Sequence, residues 1–308
     1  MKCIICDGED FKLKFSGRDL LHDLDGNFQL FECKNCKLVT LDPKLTDDEF
    51  EKYYPNDYLS FPLSIETEKN LFKKIDRQFG VNKRVNRILK KEKKSGKILD
   101  IGCATGIFLN EMKNKGWDCY GVEPNNFAAN YGKEYFDLNI INKPFEQTNF
   151  LNSFFDVVTM WDVLEHVENP DLVAKELYRI LKPDGLLVVS MPNSDSIECK
   201  IFGKYWAGWD IPRHNNIFDS KNINNYFSKY NLYSEGISSF TGRHGVIVLS
   251  INFYLNQKKY PKKIKKIINL VIKSTIARVI TYPYYMIIDR LNKSSIMTLF
   301  IRKRKFDL

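Results

Sequence analysis

The sequence predicts an α/β fold in which helices cover a mostly parallel β-sheet. Residues 97–109 combine an apolar strand pattern, a turn of small residues and an apolar-periodic helix. A second strand pattern at 118–122 is followed directly by the acidic residue Glu123. Further apolar strands at 154–161 and 186–192 are separated by a helical pattern, and this alternation is typical of parallel sheets.

The turn after the first of these strands suits a nucleoside ligand. Gly102 and Gly106 accept backbone conformations that other residues avoid, so a ligand can approach bare backbone there, beside a helix N-terminus. A glycine-rich turn alone is typical of many α/β proteins. Glu123 strengthens the interpretation, because a carboxylate at the end of the next strand can accept both hydroxyls of a ribose.

Four motifs follow one another along this region: LDIGCATG at 99–106, GVEP at 121–124, FDVV at 155–158 and LEHVENP at 164–170. With them the chain resembles the class I S-adenosylmethionine-dependent methyltransferases over about residues 95–245. The resemblance implies a Rossmann-like core with a seven-stranded sheet, six strands parallel and one antiparallel, and S-adenosylmethionine as methyl donor. Ala104 stands where the family usually has glycine, and we expect so small a residue to preserve donor binding.

The resemblance assigns residues to each part of the donor. Asp100 and the turn backbone would hold the amino-acid end, and Glu123 would hold the ribose. The adenine would contact Phe145 or Glu146. The predicted donor-binding residues, of which the last two close the far wall, are Asp100, Gly102, Ala104, Gly106, Glu123, Pro124, Phe145, Glu146, Trp161 and Asp162.

Four cysteines near the N-terminus form two CxxC pairs, Cys3 with Cys6 and Cys33 with Cys36. Each pair can present both sulfurs inward, so the four thiolates predict a tetrahedral structural zinc. Residues 28–32 alternate like a strand leading into the second pair, as in a zinc ribbon. Four cysteines leave no open coordination position, so we assign the metal to folding. Disulfides are the alternative, which the lack of a secretion signal disfavours.

Composition is that of an ordinary globular protein, with 308 residues of which 44% are hydrophobic. No apolar run is long enough to span a bilayer, and we expect a cytoplasmic protein. The net charge of +9 is concentrated at the C-terminus, where residues 258–308 hold 14 Lys and Arg against two acids. The remainder is net acidic, which disfavours a generally nucleic-acid-binding surface and indicates one local anionic partner.

A zinc ribbon, a segment rich in tyrosine at 53–58 and a methyltransferase core together are similar to methyltransferases of surface-glycan and deoxysugar pathways. That group includes sugar C-methyltransferases with a four-cysteine zinc site. The similarity implies a saccharide acceptor, either nucleotide-activated or attached to a lipid carrier. In those enzymes a tyrosine from this segment reaches the substrate, which makes Tyr58 a catalytic candidate and Tyr54 a substrate-binding candidate. Packing against the core is the alternative for both.

Two histidines are candidates for the catalytic base. His214 lies in a loop that matches the family's acceptor loop, where a histidine is linked to proton abstraction. Arg213 replaces the usual glutamate before it; an arginine would lower the basicity of the histidine, or could bind a substrate phosphate or carboxylate. His166, in the LEHV motif, matches a position beside the donor and is interpreted mainly as pocket-shaping. A loop-capping histidine is the structural alternative for His214.

Residues 197–209 mix aromatic residues with glycine. Flat aromatic faces beside polar groups suit sugar rings, which makes Trp206 and Trp209 substrate-binding candidates. Core packing is the alternative.

Residues 66–94 read as one lysine-rich helix, and the resemblance to the methyltransferases implies that it covers the donor site. An apolar stripe predicts its buried face, and Arg84 is assigned to the outer, solvated face with the lysines. The stripe consists of Leu71, Ile75, Phe79, Val85, Ile88 and Leu89.

The C-terminal part departs from the family. The final antiparallel strand is best matched by 295–304, so 241–294 is interpreted as an insertion. Within it, isoleucines and valines at helical spacing share the helix with many lysines, and tyrosines follow at 282–285. A basic amphipathic helix of this kind is typical of membrane interfaces, so residues 258–292 are a candidate peripheral membrane contact. A helical pair packed on the core, or on a second copy, is the alternative.

We therefore divide the chain into a zinc-ribbon module (1–45), a helical linker and pocket cover (46–95), the methyltransferase core (96–240), a basic amphipathic helical insertion (241–294) and the final strand with a basic tail (295–308). The predicted activity is methyl transfer from S-adenosylmethionine to a saccharide in surface-polysaccharide biosynthesis. An RNA methyltransferase, a small-molecule or quinone O-methyltransferase, and a non-enzymatic binding module are the alternatives.

Overall fold

The computed structural model describes residues 1–45, 49, 52–53, 63–240 and 243–304. The strands are β1 (Phe11–Gly17), β2 (Phe28–Cys33), β3 (Val39–Asp42), β4 (Lys97–Ile101), β5 (Asp118–Val122), β6 (Asn139–Ile141), β7 (Phe155–Trp161), β8 (Leu181–Pro192), β9 (Asn216–Ile217), β10 (Leu232–Ser238) and β11 (Ile296–Lys303). The helices are α1 (Leu71–Lys91), α2 (Ile107–Lys113), α3 (Asn126–Phe136), α4 (Pro170–Ile180), α5 (Ile197–Phe202), α6 (Asn222–Ser228), α7 (Arg243–Gln257), α8 (Lys262–Ile272) and α9 (Thr275–Arg290).

Seven strands form the central sheet in the order β10-β11-β8-β7-β4-β5-β6. The strands from β4 to β8 pair in parallel, whereas β11 lies antiparallel to both β8 and β10. This confirms the predicted Rossmann-like fold with six parallel strands and one antiparallel strand. The last strand also lies where the sequence predicts it, within 295–304. Its pairing with β8 places the helical insertion at one edge of the sheet.

The central strands are mostly apolar because both faces of the sheet are covered. Neighbouring residues of β4 show this directly. Ile98 packs in a cluster with Val85 and Ile88 of α1, whereas Leu99 packs in another cluster with Leu177 of α4. Helices therefore cover both faces, and the parallel strands present their carboxyl ends at one common edge, where ligands bind in such sheets.

Helix α1 begins at Leu71, where the side chain of Asn70 accepts the N–H of Lys73 at 3.1 Å. The predicted apolar stripe holds only for its second half, in which Val85 and Ile88 are buried. In the first half, the three apolar residues are 58–66% exposed; they are Leu71, Ile75 and Phe79. The prediction was wrong for this half because apolar spacing marks a helix face without showing whether a neighbour covers it.

The N-terminal module forms an antiparallel sheet in the order β1-β2-β3-β9. Its last strand, β9, follows His214, so the module pairs directly with this segment of the core. Buried residues of the module, among them Cys33 and Leu38, share one apolar cluster with Phe218 and Tyr226 of the core. The two parts predicted as separate modules therefore bury a common core.

Helices α7, α8 and α9 occupy the predicted insertion between β10 and β11. Helix α7 packs on the core, where Val248 and Phe253 are buried and Ser250 accepts the N–H of Ala207 at 2.9 Å. Every residue of α8 retains exposed surface, and α9 contacts the core through Tyr285 and Ile288. In the described part of the chain, no helix combines the length and the apolar character that crossing a membrane requires.

Candidate functional site

A cavity of about 2190 Å³ opens at the carboxyl ends of the central strands. Nine of the ten predicted donor-binding residues line it; Gly106 lies just behind the lining. His166 and Arg213 also line the cavity, and α1 and α9 contribute the exposed lining residues Phe79 and Tyr282. The fold thus brings the two ends of the predicted site into one continuous space.

The turn between β4 and α2 is built from left-handed residues, with φ of 69° at Gly102, 49° at Ala104 and 79° at Gly106. A side chain at Gly102 would place its Cβ 2.6 Å from Val163, and one at Gly106 would meet Leu138 at 2.5 Å. The left-handed φ favours glycine at both positions, and an added Cβ would in addition displace a neighbouring side chain. Ala104 adopts the strained conformation that glycine would accept without cost.

Asp100 lies at the bottom of the donor end and is 3% exposed. The hydroxyl of Thr159 donates a 2.6 Å hydrogen bond to its Oδ1 atom. Burial raises the pKa of Asp100 to about 7, despite the opposing effects of Thr159 and of the nearby Arg84. A cationic ligand group placed here would restore the ionised carboxylate, because a positive charge stabilises it.

Glu123 joins the second strand to the glycine turn. Its carboxylate accepts the N–H of Ala104 at 2.9 Å and the N–H of Asn125 at 2.8 Å. Burial raises the pKa of Glu123, and these two hydrogen bonds partly oppose the shift. The same carboxylate lines the cavity, so one residue both shapes the turn and is available to a ligand.

The upper wall of the donor end contains Trp161, whose ring packs edge-on against Phe108 with ring centroids 5.5 Å apart. The guanidinium of Arg84 lies over the Trp161 ring at 4.9 Å and within 3.9 Å of Asp162. Arg84 therefore faces the cavity, and its assignment to the outer face of the helix was wrong. The helical spacing of α1 could have predicted this orientation, because Arg84 lies four residues before Ile88 and therefore on the same face of the helix.

The part of the cavity that the sequence predicts for the acceptor contains two imidazoles in edge-to-face contact, His166 and His214, with ring centroids 4.6 Å apart. The Nδ1 atom of His166 lies 3.0 Å from the carbonyl of Arg213, and that of His214 lies 2.9 Å from the carbonyl of Gly208. A carbonyl only accepts, so each Nδ1 carries the proton in the neutral ring. Burial lowers the pKa of both histidines. His166 lines the cavity, and His214 packs behind it.

Glu165 is the residue of this cluster that sequence reasoning missed. It is 1% exposed, and within the described part of the chain neither carboxylate oxygen has a hydrogen-bond partner. His214 Nε2 lies 4.0 Å from Glu165 Oε1, and burial raises the pKa of Glu165 well above its ordinary value. One donor atom from each of Glu165, His166 and His214 lies within 4.8 Å of the others. Such a set could hold a proton or a divalent cation.

The guanidinium of Arg213 forms ion pairs with carboxylates of the protein itself. The residue is 2% exposed and forms ion pairs of 2.7 Å with both Asp19 and Asp210, and it donates to the carbonyl of Tyr53. Asp210 in turn lies 3.9 Å from His214 Nε2. These contacts favour a positioning role over the predicted substrate contact. Asp19 was not predicted, because nothing local marks a pairing across 194 positions. Asp210, three residues before Arg213, was not assigned a role from the sequence either.

The two predicted tryptophans lie outside the cavity lining. Trp206 is 1% exposed and donates its ring N–H to Ser295 at 3.0 Å; Trp209 is 3% exposed and donates to the carbonyl of Gly203 at 2.8 Å. With ring and N–H both satisfied internally, these residues pack the core, and the expectation of a sugar-binding surface from them was wrong. Tyr54 and Tyr58 lie outside the described residues.

The four N-terminal thiols converge as predicted. Cys3 Sγ lies 3.3 Å from Cys36 Sγ, and Cys6 Sγ lies 3.6 Å from Cys33 Sγ. Burial opposes ionisation of Cys6, but the N–H of Gly8 and the neighbouring thiols lower its pKa to about 7. This arrangement fits a tetrahedral thiolate site for zinc, which remains a prediction.

Comparison with known proteins relates this fold to one family. A family described as "Methyltransferase domain" matches residues 71–235. A ubiquinone biosynthesis O-methyltransferase of Glaesserella parasuis is 33% identical over 107 residues, which cover 32% of this chain and 45% of that protein. A mitochondrial ubiquinone biosynthesis O-methyltransferase of Schizosaccharomyces pombe is 37% identical over 101 residues, covering 30% and 37%. The chain thus matches less than half the length of these curated relatives.

Among solved structures, a protein provisionally described as a sarcosine dimethylglycine methyltransferase, from Galdieria sulphuraria, superposes with a TM-score of 0.51. The match covers 84% of this chain and 99% of that chain at 13% identity. At this identity the similarity shows the fold alone.

Proposed function

This chain belongs to the methyltransferase domain family, and we propose that it transfers the methyl group of S-adenosylmethionine to a hydroxyl of a saccharide acceptor. The observation that carries the proposal is the single cavity, which has the glycine turn, Asp100 and Glu123 at one end and His166 at the other. A reaction that joins two bound molecules in line needs both held in contact within one such space.

The donor end fits S-adenosylmethionine by its chemistry. The left-handed turn leaves bare backbone for the amino-acid end, Asp100 is a buried carboxylate that a ligand ammonium would ionise, and Glu123 offers its carboxylate to the ribose hydroxyls. When bound, the donor supplies an electrophilic methyl group on a sulfonium. Trp161 and Arg84 cover this end, which limits the access of water.

At the acceptor end, His166 holds the reacting hydroxyl and the buried cluster behind it receives the proton. As the methyl–oxygen bond forms and the methyl–sulfur bond breaks, the hydroxyl proton passes to the group formed by Glu165, His166 and His214. Asp210 lies beside His214 and is itself kept ionised, because Arg213 lowers its pKa although burial opposes this. A positively charged His214 would thus meet a stable counter-charge.

The saccharide assignment rests on the similarity of the whole arrangement to glycan methyltransferases. The zinc module, which that group shares, pairs here with the strand that follows His214. The second candidate is O-methylation of a quinol or other phenolic hydroxyl. It is favoured by the names of the curated relatives, which are ubiquinone biosynthesis O-methyltransferases.

Two measurements test the proposal. Calorimetry should give micromolar binding of S-adenosylmethionine to the protein and strongly reduced binding to Asp100→Asn and Glu123→Ala. Asp23→Asn, a matched change at an exposed carboxylate, should bind like the wild type. No binding by folded protein contradicts methyl transfer. Labelled donor is then offered with nucleotide-sugars, lipid-linked saccharides and catechol quinone precursors; label in the last class alone replaces the saccharide assignment by the second candidate.

A further inference from the structure

Helices α8 and α9 expose an apolar surface that is unusual in its extent. Residues of α8 at helical spacing, Ile264, Ile267 and Val271, are 42–63% exposed, and Leu270 is 76% exposed. On α9, Ile276, Val279, Ile280 and Ile287 are 59–73% exposed. Large apolar side chains seldom cluster in water at this density unless a partner covers them.

The same surface continues onto the exposed first half of α1. Arg278 of α9 forms a 2.7 Å ion pair with Asp76 of α1, which joins the two helices. Leu71, Ile75 and Phe79 extend the apolar surface on the α1 side. We call this set of exposed apolar residues on α1, α8 and α9 the apolar rim.

The apolar rim borders the mouth of the cavity. Phe79, Tyr282 and Met286 are 58%, 58% and 38% exposed, and all three also line the cavity. A partner that covers the rim would therefore lie over the opening of the cavity.

The positive charge near the apolar rim indicates which class of partner can bind there. Residues 258–278 contain seven lysines and one arginine and no acidic residue. Two copies meeting through this face would bring the same positive charges together, because a twofold interface pairs a surface with itself. Nucleic acid would meet the charges but leave the isoleucines and valines unpaired. An anionic lipid surface satisfies both, since its headgroups attract lysine and its interior accepts aliphatic side chains.

We propose that the apolar rim docks on an anionic membrane surface with the cavity mouth facing the lipid, so that the acceptor enters from the membrane. This inference rests on the proposed function and narrows its substrate class: the acceptor carries a long apolar chain. That chain passes between α1 and α9, past Phe79 and Tyr282, while the polar head reaches His166. Water-soluble nucleotide-sugars are thereby excluded as the physiological acceptors.

Vesicle flotation tests the docking. The full chain should float with vesicles of phosphatidylglycerol and phosphatidylcholine, and float poorly with phosphatidylcholine alone or in high salt. Ile276→Glu/Ile280→Glu should lower partitioning by at least about tenfold, because two apolar side chains are lost from the contact. The matched control is Leu13→Glu/Leu151→Glu, which alters two residues 51% and 69% exposed on other elements; it should float like the wild type. Equal loss in both variants, or no binding to anionic vesicles, overturns the proposal.

Tryptophan fluorescence tests separately whether the mouth of the cavity faces the lipid. In Phe79→Trp, fluorescence at the mouth should shift to the blue on addition of anionic vesicles, because the indole enters a less polar environment. An unchanged spectrum in protein that floats overturns the mouth-facing orientation. Calorimetry with S-adenosylmethionine on the same samples separates the two ideas. Donor binding without flotation contradicts only the docking, whereas flotation without donor binding contradicts the methyltransferase function.

Discussion

We expect the ionisation of Asp100 to make the affinity of this site for S-adenosylmethionine depend on pH. Its folded pKa is raised by burial to about 7, so the carboxylate becomes ionised only as the pH rises through neutrality. The ionised form attracts the donor ammonium, and the protonated form does not. Between about pH 8 and pH 6 the ionised fraction falls from about 90% to about 10%, so we expect the affinity for S-adenosylmethionine to fall about tenfold.

Calorimetry at several pH values measures this change. Asp100→Asn should bind weakly with little pH dependence over the same interval, while Asp23→Asn should retain the wild-type profile. If the affinity of the wild type for S-adenosylmethionine changes by no more than about a few per cent between pH 6 and pH 8, Asp100 is not the partner of the donor ammonium.

Arg213 illustrates how a residue that looks functional in sequence can be structural. Removing its side chain would leave the buried Asp19 and the half-buried Asp210 without this counter-charge. We expect Arg213→Ala to lower the free energy of unfolding by about 3–5 kcal/mol. Urea denaturation measures it. Asp19→Asn, which alters the ion pair from its other side, should also be destabilised.

A different outcome would restore the substrate role. If Arg213→Ala retains wild-type stability and binds the donor normally while methyl transfer is lost, the guanidinium acts on the acceptor. Arg213→Lys is informative in either case, because lysine keeps the charge but not the paired hydrogen bonds to two carboxylates.

At the scale of elements, the four-cysteine module matters to the site because β3 pairs with β9. Thr40 pairs with Asn216, and the N–H of Asn215 donates to the carbonyl of Glu165 at 2.7 Å. The module is therefore connected through a few backbone contacts to the cluster of Glu165 and His214. No such link is visible in sequence, since the two segments lie about 175 residues apart.

We expect the purified protein to contain about one zinc per chain. Cys33→Ser should lower zinc content and reduce the melting temperature by on the order of 10 °C, since structural zinc contributes directly to folding. Hydrogen exchange should increase at 215–217 as well as in β2. Cys199→Ser, at a buried cysteine outside the cluster, should keep its zinc. Full zinc content in Cys33→Ser would contradict the four-thiolate site.

At the scale of the whole molecule, the N-terminal module and the methyltransferase core share one buried cluster. Cys3, Ile5 and Leu38 pack in it together with Phe218 and Met297, which come from the far end of the chain. Parts that share a core lose their packing together when either unfolds. The boundary at residue 45 thus separates two sequence patterns, but the parts on either side of it share one hydrophobic core.

A single cooperative thermal transition follows from this packing. We expect calorimetry and circular dichroism to report the same midpoint, and the addition of S-adenosylmethionine to raise it as a whole. Two separate transitions, with β1 and β2 exchanging hydrogen at the lower one, would show that the module folds on its own.

The sequence by itself determined the central sheet, the glycine turn, the carboxylates Asp100 and Glu123, the four converging cysteines and the C-terminal insertion. These features depend on residue type and on short-range spacing along the chain. Such local patterns predict the same strands, helices and turns in any protein in which they occur. Their outcome could therefore be predicted before any contact was known.

Only the tertiary structure decided how the side chains are used. It paired Arg213 with Asp19, placed Glu165 beside His214, and buried Trp206. It also left half of α1 exposed at the cavity mouth. Each result depends on contacts between residues far apart in sequence, and burial and charge partners are properties of those contacts, which no local pattern encodes.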